Sequence, residues 1–190
     1  MQVMKWSVIA LAVAAGTSQL ALASAQSESK GLVEDSSLNI LNRNVYFHRD
    51  FRDGAGQSRR EEWAHGLIGT FESGFTPGPV GFGFDAFGLV GLKLDSSPDR
   101  AGTGLLPVGS DGSAPDDYSQ AGAAVKARFS NTVLKYGDQF VAVPVFDTGD
   151  SRLLPQSTTG FLLTSSEMAG VELNAGYFTR VGATATRMAS

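Results

Sequence analysis

Residues 80–94 read VGFGFDAFGLVGLKL. The even positions Val80, Phe82, Phe84, Ala86, Gly88, Val90 and Leu92 are nearly all apolar. The odd positions include Gly81, Gly83, Asp85, Gly91 and Lys93, with Phe87 and Leu89 interrupting the series. A period of two sends alternate side chains to opposite faces of an extended strand, so one face is greasy and the other small or charged. The same alternation occurs in any antiparallel sheet with one solvated face. The stretch therefore sets a strand and its two faces, and the rest of the chain must say what the greasy face meets.

Other segments share the design. In 60–72 the odd positions Trp63, His65, Leu67, Gly69 and Phe71 oppose Arg60, Glu62, Ala64, Gly66, Thr70 and Glu72. In 118–130 Ala121, Ala123, Val125, Ala127 and Phe129 oppose Gln120, Gly122, Lys126, Arg128 and Ser130. In 171–180 Val171, Leu173, Ala175 and Tyr177 oppose Glu172, Asn174, Gly176 and Arg180. Shorter strands are predicted over 132–139 and 159–165. The segment 36–49, SSLNILNRNVYFHR, is rich in β-favouring residues. Neither of its faces is clean, because Arg43 and Arg49 share parity with Leu41, Val45 and Phe47. Its register stays open, with a bulge as one way to settle it. Residues 26–37 are polar and read as an exposed lead-in.

Seven strands result, and their connections alternate. Those over 50–59, 95–117 and 140–158 are long. Those at 73–79 (SGFTPGP), at Asn131 and around 167–170 are short. Gly and Pro supply the tight turns. Short turns at one end and long loops at the other are the habit of transmembrane barrels. A soluble sandwich has no physical reason to keep its long loops at one end only.

The N-terminus adds the compartment. Lys5 gives a positive start, Ser7–Ala15 (SVIALAVAA) a short apolar core, and Ala23-Ser24-Ala25 a small-residue cleavage site before Gln26. Ala21-Leu22-Ala23 is an alternative site. This is the anatomy of a secretory signal, expected as a helix over residues 1–25 and too short to span a membrane. Removing it takes away Lys5 and no acidic residue, so the formal net charge moves from −4 to −5. A mildly acidic chain without a basic tract argues against nucleic-acid partners. No cysteine is present, which excludes disulfides, zinc–thiolate sites and a Cys nucleophile. The 23 glycines recur inside the alternating segments, where a helix would suffer most from them.

In order along the chain, these residues resemble the N-terminal part of the OprD family of substrate-specific outer-membrane porins. The resemblance is carried by Met4-Lys5-Trp6-Ser7, by Glu34-Asp35-Ser36-Ser37-Leu38, and by Arg43-Asn44 with Tyr46-Phe47. It continues through Glu72-Ser73-Gly74-Phe75-Thr76, Val80-Gly81-Phe82-Gly83, Asp85-Ala86-Phe87-Gly88 and Gly91-Leu92-Lys93-Leu94-Asp95. Thr103-Gly104, Leu106-Pro107-Val108, Asp116-Asp117-Tyr118-Ser119, Lys135-Tyr136-Gly137, Ser151-Arg152-Leu153 and Pro155-Gln156 complete it. It implies an all-β fold, an antiparallel transmembrane barrel wall of about seven strands out of a parent eighteen, over residues 26–180. It also implies a monomeric pore narrowed by inward-folded loops, with Phe140–Pro155 as the third extracellular loop at the constriction. The implied activity is passive uptake of small polar solutes such as basic amino acids or small carboxylates, with no enzyme activity and no cofactor. The implied partners are outer-membrane lipid and lipopolysaccharide, the outer-membrane assembly machinery and the solutes. Residues 181–190 depart from the family and read as a truncated or frameshifted end. Relatives are more than twice as long, and Met188-Ala189-Ser190 lacks the usual terminal aromatic.

A charge facing lipid near the bilayer midplane costs about 2–4 kcal/mol for Arg or Lys. Charges within alternating strands are therefore expected to face the lumen, among them Arg60, Asp85, Lys93, Lys126, Arg128 and Arg180. Family members carry rows of basic residues that guide carboxylates. By that likeness the solute-guiding set is Arg43, Arg49, Arg60, Lys126 and Arg128, with Arg152 at the constriction. Asp85 and Glu72 supply opposing acidic charge, and Arg43 is the member whose parity fits worst. Trp63, Tyr118, Tyr136 and Tyr177 are expected as interfacial girdles. Other chemistries fail. His48 and His65 lack metal-ligand spacing, no Gly-x-Ser-x-Gly elbow exists, and Gly81-Phe82-Gly83 lacks the third glycine and helix of a dinucleotide site. Two other classes remain at this stage. One is a complete small outer-membrane barrel acting as an anchor or adhesion protein; the other is a secreted soluble β-sheet binding protein.

Overall fold

The structure, a computed structural model, describes residues 8–15, 24–51 and 56–182, with 8–15, 181 and 182 as backbone only. The strands are β1 (Val8–Ala15), β2 (Ser37–Asp50), β3 (Arg59–Glu72), β4 (Val80–Asp95), β5 (Asp117–Phe129) and β6 (Thr132–Gln139). They continue as β7 (Ala142–Val143), β8 (Phe146–Asp147), β9 (Ser157–Met168) and β10 (Val171–Gly182). Eight form one antiparallel sheet in the order β1-β10-β9-β6-β5-β4-β3-β2, while β7 and β8 make a separate small hairpin. From β2 to β10 the large sheet is a meander, and its strands are the seven expected ones, longer by a few residues at most. Long connections lie at one end of the sheet and short ones at the other, as the spacing predicts.

The alternation in 80–94 becomes two real faces. Phe82 is 59% exposed, and Val80, Phe84, Leu92 and Leu94 are also exposed, whereas Leu89 is 1% exposed. Phe87 and Leu89 break the pattern because the opposite face is covered: they pack with Ile68 against Phe140 and Leu154, from the long connection after β6. Val45 and Phe47 have the same cause. β2 pairs with β3 without a break from Ser37↔Glu72 to Asp50↔Arg59, so it carries no bulge. Its odd residues face inward, where Val45 and Phe47 meet a cluster built around Ala64, Leu105, Leu106 and Leu153. The irregularity lies on the other side of β3, between Trp63 and Ala64.

Outward rings line up in rows. Phe84, Val125, Tyr136, Phe161 and Tyr177 are successive cross-strand neighbours, and the Tyr136 and Phe161 rings stack at 4.2 Å. Tyr46 and Trp63 are partners near the other end. Trp63 pairs with Asp95, eleven residues along β4 from Phe84. For a strand tilted by about 40° that is roughly 28 Å, close to the ~25 Å height of an outer-membrane hydrocarbon band. Tyr118 does not join these rows. It points inward and is buried, with its hydroxyl donating to the Leu105 carbonyl at 3.3 Å, because its strand position shares parity with Lys126 and Arg128.

Two expectations near the N-terminus are corrected. Val8–Ala15 is not helical but a strand antiparallel to β10, from Val8↔Phe178 to Ala15↔Val171. Extended backbone there satisfies the free edge of β10, and Val8, Ile9 and Val13 suit a strand. The lead-in is not uniformly exposed either, since Gln26 is 3% exposed. The tail 183–190 lies outside the described residues.

Candidate pore-lining site

The inward face is shaped by a row of small residues. Arg43 pairs with Gly66, Gly66 with Gly91, and Gly91 with Tyr118 across β2, β3, β4 and β5. The two glycines leave a trough beside the wall. Leu153, with no exposed surface, sits over Gly66, where an added Cβ would lie 3.0 Å from its Cγ. The Tyr118 ring lies over Gly91, where a Cβ would collide with it. The connection 140–156 therefore folds onto the inner wall as expected for a constriction. Phe140 packs at a tilt on Phe87 at 4.5 Å, and Phe146 stacks on Phe178 at 4.8 Å. Thr148 N donates to the Val141 carbonyl at 2.9 Å and closes the β7–β8 hairpin.

This segment brings Arg152 to the middle of the wall. Arg152 Nη1 donates to the Thr103 carbonyl at 3.2 Å. Among the described residues, Arg152 is the one charged side chain lining a cleft of about 250 Å3, shared with Gly104, Leu105, Tyr118, Gln120 and Gln156. Arg43 faces inward beside it, with its guanidinium forked onto the Asp150 carboxylate and Nη1 also donating to the Arg152 carbonyl at 3.2 Å. A bidentate pair of this kind fixes geometry as well as charge. Arg43 thus ties β2 to the inward loop, and its charge is largely spent on Asp150.

Toward the long-loop end, Arg49 and Arg60 are direct partners on β2 and β3. Like charges opposite one another repel, and each finds a separate resting place. Arg49 lies 5.0 Å over the Phe47 ring. Arg60 lies 5.4 Å from the Phe51 ring and donates to the Gly102 carbonyl at 3.2 Å. Lys93 is taken up by loop anchoring, bonding Asp116 Oδ1 at 2.6 Å and the Ala114 carbonyl at 2.9 Å.

Toward the short-turn end, Asp85 receives two lysines: Lys126 at 2.6 Å and Lys135 on the other oxygen. Arg128 Nε donates to Gln26 Oε1 at 2.9 Å. Its Cζ lies 4.1 Å and the Lys126 Nζ 4.8 Å from the Phe75 ring centroid. Glu72, also expected as opposing acid, is the exposed cross-strand partner of Asp85. The structure therefore sets the seven predicted residues at three levels: Arg49 and Arg60, then Arg43 and Arg152, then Asp85, Lys126 and Arg128.

Sequence reasoning missed several members. Glu62 is fully buried; Oε2 accepts from Thr103 N at 2.9 Å and from the Thr103 hydroxyl, and Ser96 reaches Oε1 at 3.4 Å. Parity with Arg60 already places Glu62 inward, but nothing local reveals its partner 41 residues on. Lys135 sits in a recognised strand and is the cross-strand partner of Lys126. Asp150 and Gln26 carry no periodic signal at all. Among the described residues, no three acidic or histidine side chains gather as a metal site.

The same wall occurs in known proteins. The family described as outer membrane porin, OprD family, matches residues 30–189. Porin D of Pseudomonas aeruginosa is 57% identical over 183 residues, covering 94% of this chain and 41% of that protein. The crystal structure of Acinetobacter baumannii OccAB1 superposes with a TM-score of 0.79 at 43% identity, over 83% of this chain and 37% of that one. Pseudomonas aeruginosa OpdK, solved with vanillate, gives a TM-score of 0.72 at 44% identity, over 80% of this chain and 38% of that one. The chain spans about 41% of the length of Porin D. With the alternating wall, the inward loop and the family match all covering the same residues, the chain belongs to the OprD family of outer membrane porins.

Proposed function

We propose that residues 24–182 form the first part of the wall of a passive pore for small solutes that carry a carboxylate. The observation that carries this reading is the Arg152 cleft: one guanidinium among tyrosine, amide and apolar groups suits an anion with a small apolar body. Charge-assisted, planar contact to a carboxylate is what arginine does best. Cations above and below the cleft extend the attraction along the wall, and OpdK, solved with vanillate, is consistent with it. Basic amino acids fit less well, because Asp85 is already shared by Lys126 and Lys135. Export by a cleaved signal, assembly machinery acting on the strands and lipopolysaccharide against the outward face belong to the same proposal.

The test joins residues 1–180 to the complementary C-terminal part of Porin D in one polypeptide and measures solute uptake into liposomes. Uptake of small carboxylates should fall about tenfold in Arg152→Ala, the effect of losing one charged hydrogen bond, while neutral solutes of equal size are unaffected. Equal carboxylate uptake by both proteins would sink the proposal.

A further inference from the structure

Two bonds qualify for signal cleavage by sequence, Ala23–Ser24 and Ala25–Gln26, since each follows an Ala-x-Ala triplet. Tertiary contacts distinguish them. The Ser24 carbonyl accepts from Ser27 N at 3.0 Å and from the Ser27 hydroxyl at 2.7 Å. Ala25 N donates to Asn131 Oδ1 at 2.7 Å, in the turn between β5 and β6. Gln26 N donates to the Ser130 carbonyl at 3.1 Å. The Gln26 side chain is a key in a lock: Nε2 donates to the carbonyls of Thr76 and Gly78 at 2.9 and 3.0 Å, and Oε1 accepts from Arg128. Gly81 is the floor of that lock, since any Cβ there would collide with the carboxamide. Farther along, the Ser29 hydroxyl donates to the Phe75 carbonyl at 2.6 Å and Gly74 N donates to the Leu32 carbonyl at 2.8 Å.

We infer that signal peptidase cuts the Ala23–Ser24 bond, because Ser24, Ala25 and Gln26 are a docked part of the folded sheet, keyed into its short-turn end. This rests on the export reading above. Cutting after Ala25 would remove the acceptors of Ser27 and the partner of Asn131. It would also place an ammonium with three donors on a buried residue that offers it one carbonyl, and buried donors left unpaired are costly. The freed amine of an N-terminal Gln26 would moreover be able to attack its own side-chain Cδ. The new N–Cδ bond forms as Cδ–Nε2 breaks, ammonia leaves with a proton from the amine, and the resulting lactam lacks the Nε2 donor that fills the lock. Either cut releases β1, but cutting after Ala23 keeps all of these contacts of residues 24–32 and puts the new charge on partly exposed Ser24.

The experiment expresses the full chain in a Gram-negative host and determines its N-terminus in the whole cell envelope, periplasm and membranes together, by intact mass and terminal sequencing. A start at Ser24 is expected. A start at Gln26, or its lactam, overturns the inference while leaving export intact, and a start at Met1 overturns export and the inference together. Ala25→Leu gives an independent arm: Ala25 is exposed, so folding is spared, while the bulky residue blocks only the second site. Unchanged processing is expected; a lost or shifted cut overturns the inference.

Discussion

Leu153, near the end of the inward loop, occupies the space over Gly66 in the middle of β3, and no part of it is exposed. A leucine seated on a glycine fixes how far the loop stands from the wall, because both the missing Cβ and the filling side chain are needed for the contact.

Gly66→Val is therefore expected to push the loop off the wall, at about 1–3 kcal/mol for overpacking. Leu153→Ala empties the same notch, at about 2–5 kcal/mol. Equilibrium unfolding in detergent micelles measures both. In combination the two should cost less than their sum, since each spoils one contact; strict additivity would count against the notch.

Glu62 and Thr103 form the second tie between wall and loop. Thr103→Val keeps the shape and removes the hydroxyl donor from a buried carboxylate, at about 1–3 kcal/mol. Thr103→Ser should restore most of it. Denaturation midpoints of the two variants check this, and equal midpoints would show the hydroxyl to be idle.

Asp85 holds Lys126 and Lys135 together. Asp85→Asn leaves two adjacent ammonium groups with no counter-charge, an arrangement that costs about 3–5 kcal/mol when buried. Lys126→Met in the Asp85→Asn background should recover part of the loss. A double-mutant cycle showing no coupling would rule the ion cluster out as a stabilising unit.

Ala121 faces outward next to Gly88, between the two aromatic rows. In the fusion with the C-terminal part of Porin D, Ala121→Lys should oppose insertion into lipid vesicles by about 2–4 kcal/mol, whereas Ala121→Leu should insert at least as well as the unsubstituted fusion. Comparable insertion of both variants would mean that this face does not meet lipid.

β1 and β2 stand at opposite ends of the sheet order, so the sheet is open. Unpaired edge groups are not tolerated in hydrocarbon, and the 190-residue chain alone is expected to give no reproducible steps in planar-bilayer recordings. Regular single-channel steps from the purified chain would overturn this.

How much was legible follows from what each signal reports. Side-chain alternation in 80–94 and its sister segments was enough for seven strands, their faces and the loop asymmetry, because a strand's period of two is a local property. It put Arg60, Asp85, Lys126 and Arg128 on one face of the sheet. It failed where the inward face is covered. Phe87, Leu89, Val45 and Phe47 look like errors in the pattern until the loop 140–156 is folded against them, and Arg43 looks misplaced for the same reason. Tyr118 was assigned to the membrane interface by residue type, although its parity already pointed inward.

The sequence by itself thus determined which side of each strand is greasy, which is small or charged, and which end bears the long loops. Only the tertiary structure decided what those charges do. The pairs Arg43 with Asp150, Glu62 with Thr103 and Gln26 with Arg128 join residues 107, 41 and 102 positions apart. Periodicity reports the direction of a side chain, whereas its partner is chosen by how the sheet curves and where the loops fall back onto it.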